Sequence, residues 1–308
     1  MAATAASRRF EVAGLATWFN IAGRAHFSYP HPMTRRMLKP LIVSAAVLMS
    51  GLSLAQTTPP ADQPAPRTDQ NSQTAHAQLL EKAQEGGIDV YFEGDSITRR
   101  WGTSDAQYKD FLANWNRNFF GWNAANFGWG ADTIQNVLWR LNNGELDGVN
   151  PKIIVLLAGT NNLGGTPPPG GDEAKVEDVT RGIKATLDIM QQKAPDATII
   201  LMGITPRNDG GSTEIVATIN KINDTISKFA NGKKIRYLNI NDKLADKDGK
   251  LFDGMTVDRL HLSVKGYQVW ADALKPIFTE LLGPPAQTDH APPPTGDPSA
   301  QRAPNPRP

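Results

Sequence analysis

Between residues 77 and 283 the chain alternates two hydrophobic periodicities. IDVYF (residues 88–92), AANF (124–127), IIVLL (153–157), TIILMGI (198–204) and IRYLNI (235–240) are short apolar runs rich in β-branched residues, and each reads as a buried strand. Between them apolar residues recur at helical spacing. Val176, Val179, Ile183, Leu187 and Met190 form one stripe, and Ile215, Ile219, Ile222, Ile226 and Phe229 form a second, each suited to lie against a sheet. A closing helix is expected from Ser263, a good N-cap, through Tyr267, Trp270, Leu274 and Leu281, with Pro276 as a kink. Strands that alternate with helices pair in parallel through right-handed crossovers, so the predicted fold is α/β, a three-layer α/β/α sandwich around a parallel sheet of about five strands. In such sheets a ligand site lies at the carboxyl ends of the strands.

The flanks have a different character. The chain has 308 residues and 23 prolines, which cluster between Pro59 and Pro66 and again from Pro284 to Pro308. Residues 56–76 therefore read as a disordered linker, residues 77–283 as the folded domain and residues 284–308 as a disordered tail. Residues 33–55 begin with Arg35, Arg36 and Lys39, continue as an apolar run and end in Ser53-Leu54-Ala55, the layout of a signal peptide. A membrane anchor is the competing reading, but the run is shorter than the ~20 residues that a bilayer span needs. Residues 1–32 then stand as an upstream extension, with Met33 as initiator, and the expected location is periplasmic or secreted.

Composition removes several classes of chemistry. The chain has 32 basic and 31 acidic residues, and beyond residue 40 there are 26 basic and 30 acidic ones, so the stripe of positive charge that nucleic-acid binding needs is absent. With no cysteine, disulfides, thiolate metal sites and cysteine nucleophiles are excluded. No metal or organic cofactor is called for.

Four segments place polar residues after expected strands or before the closing helix: Gly94-Asp95-Ser96, the run from Asn126 through Gly128-Trp129-Gly130-Ala131-Asp132, Gly159-Thr160-Asn161-Asn162, and Asp258-Arg259-Leu260-His261. A serine at the mouth of the sheet can attack a carbonyl if a base takes its proton, and near neutral pH histidine is the well-matched base. Of the five histidines, His261 alone lies well inside the folded segment; His26, His31, His76 and His290 lie outside it or at its edge. Asp258, three residues earlier, can hold the imidazole through its Nδ1 hydrogen if the intervening chain makes a helical turn or a tight loop. The plainer readings are an N-cap for Ser96, a capping or surface histidine for His261 and a turn asparagine for Asn161.

Taken in this order, the four segments resemble the GDSL or SGNH hydrolases, and the stretch from Asn126 to Asn162 is especially similar to the catalytic α subunits of the intracellular Ib type of platelet-activating factor acetylhydrolase. The resemblance covers most of residues 88–282. It implies the flavodoxin-like fold of that family, with Ser96 as nucleophile, His261 as general base and acid, and Asp258 as its orienter. It also implies an oxyanion hole from the Ser96 backbone N–H, a backbone N–H at Gly130 or Ala131, and the Asn161 side chain. Asp95, Trp129 and Asn162 are the candidate substrate-binding residues, Trp129 as a stacking face for a sugar or as plain packing. One departure stands out: the family has glycine where this chain has Ala131, which is unfavourable if that position requires positive φ.

Other signals weigh little. Thr133 occupies the place of the third glycine in a dinucleotide loop, Asp246-Lys247-Asp248-Gly249 lacks the spacing of a calcium loop, and Thr166-Pro167-Pro168-Pro169-Gly170-Gly171 is either a pocket rim or a connector. The expectation is an exported ester hydrolase acting on short acyl esters of small molecules or glycans. The rival readings are a glycan O-acetyltransferase with the same triad and a non-catalytic glycan-binding module.

Overall fold

The computed structural model describes residues 58–164, 170–208 and 214–301. The expected signal peptide, the upstream extension and residues 166–169 of the proline-containing segment lie outside the described residues.

Five strands, β1 (Val90–Gly94), β2 (Ala124–Asn126), β3 (Ile153–Leu157), β4 (Thr198–Met202) and β5 (Ile235–Leu238), form one parallel sheet in the order β2-β1-β3-β4-β5. Among the described residues eight α-helices accompany them: α1 (Gln70–Glu85), α2 (Ser96–Trp101), α3 (Lys109–Phe119), α4 (Ile134–Arg140), α5 (Gly171–Lys193), α6 (Glu214–Ile226), α7 (Asn241–Leu244) and α8 (Val264–Leu282). The predicted sandwich is therefore present. Each predicted strand is found: β3 matches, β2, β4 and β5 end early because the last residues of those apolar runs turn out of the ladder and into the loops, and β1 starts later, at Val90, and runs on to Gly94.

Side chains alternate across the sheet and so build two cores. Tyr91, Ile154 and Ile199 face one layer, where they meet Leu79 of α1, Ile134 and Val137 of α4, Val179 and Ile183 of α5 and Ile222 of α6. Val90, Phe92, Val155 and Ile200 face the other, filled by Trp101 of α2, Trp115 and Phe119 of α3, and Trp270 and Phe278 of α8. This second core is strongly aromatic: Trp101 stacks on Tyr267 with ring centroids 4.9 Å apart and meets Trp115 edge-on at 5.6 Å. Ser263 caps α8 by accepting the Gly266 N–H at 3.1 Å, and the helix continues through Pro276 to Leu282. Among the described residues no helix is long and apolar enough to cross a membrane.

Both proline-rich flanks depart from expectation within the described residues. Ala61, in the expected linker, is fully buried in the first core and donates its N–H to Asp178 at 3.0 Å, while α1 begins at Gln70 with Asp69 as N-cap. The domain therefore starts well before residue 77. Residues 284–301, expected as disordered tail, lie along the domain as a strap. Gly121 donates to Asp289 at 2.6 Å, Thr103 donates to the Thr295 carbonyl at 3.0 Å, and Asn71 donates to Asp297 at 2.8 Å. Pro292, Pro293 and Pro294 line a groove with Trp115, Phe119 and Phe120. The physical reason is that proline loses little backbone entropy on ordering, so a few aspartate and threonine contacts suffice to hold it.

A chain ending at Gly283 should lose about 2–4 kcal/mol of stability, from a handful of hydrogen bonds worth about 1 kcal/mol each. A thermal unfolding midpoint equal to that of the full chain would show that the strap contributes nothing.

Candidate active site

The site forms where β1, β2 and β3 end, and close backbone approach explains two of its glycines. A Cβ on Gly94, the last residue of β1, would sit 2.2 Å from the Leu157 carbonyl oxygen, and a Cβ on Gly128 would sit 2.6 Å from the Arg99 nitrogen. Only glycine allows the turn after β1 and the turn after β2 to pass this closely. Asp95 then caps α2 by accepting the Ile97 N–H at 2.9 Å, which leaves Ser96 as the first helical residue and not the cap.

Ser96 Oγ lies 2.9 Å from His261 Nε2, and His261 Nδ1 lies 2.7 Å from Asp258 Oδ2. With the Nδ1 hydrogen given to Asp258, Nε2 is the bare nitrogen and accepts from the serine hydroxyl. Asp258 and His261 are joined by a tight loop. Asp258 Oδ1 accepts the His261 N–H at 2.7 Å and the Leu260 N–H at 3.2 Å, and Arg259 adopts φ 67° to close the turn.

The electrostatics favour a charged carboxylate beside a neutral imidazole. Burial by itself would raise the Asp258 carboxyl, but hydrogen bonds from the His261 N–H and imidazole outweigh it and hold the group down at about 2. Burial lowers the His261 pKa, hydrogen bonding to Asp258 opposes that shift, and the Arg100 guanidinium adds to it. Arg100 donates to Asp258 Oδ2 at 3.3 Å, the same oxygen the imidazole uses.

A cleft of about 370 Å³ opens beside Ser96 and His261 and is also lined by Gly130, Ala131 and Asn161. The backbone N–H groups of Gly130 and Ala131 have no acceptor among the described residues, and Ser96 at the start of α2 has no intrahelical acceptor for its own N–H. Asn161, in the single helical turn after β3, gives one amide hydrogen to the Asp132 carbonyl at 2.8 Å and keeps its second. A serine hydroxyl, a basic imidazole and convergent N–H donors can together attack a carbonyl and stabilise the oxyanion that forms. Ala131 does adopt φ 63°, so the missing glycine has a conformational cost.

The three expected substrate-binding residues lie elsewhere. Asp95 is 1% exposed and occupied as a cap, and burial pushes its carboxyl up to about 7 against the Ile97 hydrogen bond. Trp129 donates its indole N–H to Ser72 at 2.8 Å, and Arg99 covers its face with the guanidinium carbon 4.6 Å from the ring centroid. No sugar can stack there. Asn162 accepts the Ile134 N–H at 2.9 Å and donates to Gln135 at 2.8 Å, which fastens α4 to the β3 loop. The rim is formed by Leu260, from the segment that carries Asp258 and His261, and by Arg99, Arg100 and Tyr108, which the sequence analysis did not single out. Arg100 carried a signal, since it stands four residues beyond Ser96 on the same helix face. Asp246 accepts the N–H groups of Asp248 and Lys250, the turn expected for that segment. Among the described residues no three His, Asp or Glu side chains form a metal-binding group.

Comparison with known proteins bears on the family and the fold. The profile of the GDSL-like lipase/acylhydrolase family matches residues 92–269. The α2 subunit of rat platelet-activating factor acetylhydrolase IB is 31% identical over 217 residues, covering 70% of this chain and 86% of the relative, and the human α1 subunit is 29% identical over 228 residues, covering 72% and 91%. Among solved structures, a putative platelet activating factor protein from Streptococcus pneumonia superposes with TM-score 0.53 at 21% identity, covering 67% of this chain and 92% of that one. A putative acylhydrolase from Bacteroides fragilis also gives TM-score 0.53, at 19% identity, with coverage of 70% and 99%.

Two outcomes are expected. Arg100→Gln should move the His261 titration, followed by imidazole NMR, to higher pH, because a cation that disfavours imidazolium is removed and Asp258 Oδ2 is left to histidine alone; a shift to lower pH would contradict this arrangement. Ala131→Gly should raise thermal stability by at most about 1 kcal/mol, since relief at positive φ is partly offset by glycine's greater unfolded freedom; a loss of stability would mean that the methyl group packs usefully.

Proposed function

The chain belongs to the GDSL-like lipase/acylhydrolase family and is a carboxylic ester hydrolase, and from that premise we propose that it cleaves short acyl esters, acetyl esters foremost, through an acyl-enzyme on Ser96. The observation that carries this reading is the unbroken run of short contacts from Ser96 Oγ to His261 Nε2 at 2.9 Å and from His261 Nδ1 to Asp258 Oδ2 at 2.7 Å.

In the proposed reaction Ser96 Oγ attacks the ester carbonyl while its proton passes to His261 Nε2. Asp258 stabilises the imidazolium by its charge and keeps the ring in register. Negative charge on the former carbonyl oxygen is met by the N–H groups of Ser96 and of Gly130 or Ala131 and by the second amide hydrogen of Asn161. His261 then returns the proton to the departing alcohol, and water, deprotonated by the same nitrogen, cleaves the acyl-enzyme. One such donor typically supplies ~3–4 kcal/mol of transition-state stabilisation.

Arg99 and Arg100 bring two guanidinium groups to the rim beside Leu260 and Tyr108, which supports a polar alcohol. Relatives named as acetylhydrolases favour acetyl in particular. The signal-peptide pattern at residues 33–55 favours export, and with it an acetylated glycan as substrate.

Ser96→Ala should abolish hydrolysis of p-nitrophenyl acetate and leave the thermal unfolding curve nearly unchanged. Retained turnover would remove Ser96 from the mechanism. In a panel of acetylated oligosaccharides, acetylated phospholipid and longer aryl esters, the oligosaccharides should show the highest kcat/KM, and a preference for long acyl chains would overturn the short-acyl reading.

A further inference from the structure

Beneath the donor side of the cleft lies a buried ionic cluster for which the proposed chemistry has no use. Arg140, the last residue of α4, is 4% exposed and surrounded by the fully buried carboxyl groups of Glu93, Asp132 and Glu145. Its Nε donates to Asp132 Oδ2 at 2.7 Å, Nη2 donates to Glu93 Oε1 at 2.6 Å, and Nη1 donates to Glu145 and, at 2.9 Å, to the Phe127 carbonyl. Three carboxyl groups around one guanidinium are costly in a protein interior. Burial pushes Glu93 up to about 8 and Asp132 up to about 6, against the attraction of Arg140. A well-packed apolar cluster would often stabilise the fold as well or better.

What such a cluster fixes is position. Glu93 is the penultimate residue of β1, immediately ahead of the turn that carries Ser96. Phe127 follows β2, and Asp132 follows Ala131 in the donor loop. The planar fork of arginine holds all three at set distances and angles, which a lysine could not. The connection to the cleft is one hydrogen bond: the Asp132 carbonyl accepts Asn161 Nδ2 at 2.8 Å, so the residue gripped by Arg140 orients the Asn161 amide. Arg67 adds a second grip from outside, to the Gly130 carbonyl at 2.9 Å and to Asp132 Oδ1 at 3.3 Å.

We propose that Arg140 is a positioning residue for the reaction, acting through Asp132 to hold Asn161 and the Gly130–Ala131 donors where the oxyanion develops. This inference rests on the oxyanion role given to those donors above.

The test is a mutant cycle read with p-nitrophenyl acetate. Asp132→Ala removes the side chain that Arg140 grips but keeps the main-chain carbonyl. Its kcat should fall on the order of 100-fold, the penalty expected when catalytic groups are displaced by about an ångström, while KM changes less than about threefold because the loss falls on the transition state. Asp132→Asn, which still offers an oxygen to Arg140 Nε, should recover most of that loss, and Arg140→Lys should resemble Asp132→Ala. In an Asn161→Ala background, adding Asp132→Ala should cost no more than about tenfold, the share left to the Gly130–Ala131 donors, because coupled residues are not additive. Losses that multiply fully, or a folded Asp132→Ala enzyme with unchanged kcat, would overturn the inference. Should Asp132→Ala fail to fold, Arg140→Lys with and without Asn161→Ala gives the same cycle. Wild-type kcat in Asn161→Ala alone would instead strike at the oxyanion reading, so the two failures are distinguishable.

Discussion

The cleft depends on β1, β2 and β3 ending side by side at one edge of the sheet. Parallel pairing sets Phe92 opposite Asn126 and Gly94 opposite Leu157, so the chain leaves all three strands in the same direction and within reach. Ser96, the Gly130–Ala131 donors and Asn161 are then neighbours in space although well apart in sequence. Register is held firmly because both faces are buried. A one-residue slip of β1 would carry Tyr91 into the aromatic core and Phe92 into the other, exchanging side chains that are already packed.

Within that frame, three carboxyl groups near Ser96 meet different fates. Asp258 has 45% of its side chain exposed and several donors aimed at it, and it stays ionised down to about pH 2. Asp95, adjacent to Ser96 in sequence, is buried with one donor, and its pKa rises to about 7. Asp132 is buried against Arg140 and rises to about 6. Solvation and donor count decide which of these acids carries a charge near neutral pH, and nearness to Ser96 in sequence does not. The carboxylate paired with His261 is the one on the outer loop, where water shares the cost of its charge.

The proline-rich flanks show how composition can mislead. Few apolar residues and many prolines are the pattern of a chain that stays solvated. Here residues 284–301 nonetheless follow the surface, because Asp289, Thr295 and Asp297 each find a donor on the domain. Lys82, 3% exposed, donates both to the Asn126 carbonyl at 3.0 Å and to Thr295 at 3.2 Å, so the strap helps to satisfy a cation beneath the end of β2.

Strand order along the chain, both helical stripes, the Ser263 cap and the succession of Ser96, Asn161, Asp258 and His261 were legible in the sequence, because periodicity, capping and motif spacing are set by residues close together in the chain. At Ala131 the sequence showed only an alanine in the place of the family's glycine, and the folded loop decided that the position has positive φ and is strained. The burial of Trp129 under Arg99, the diversion of Asn162 into fastening α4, the docking of the strap and the ring of carboxyl groups around Arg140 were not legible. Each is a contact between segments that only the folded sheet brings together, and its strength depends on burial and on partner geometry, which no local pattern of side chains encodes.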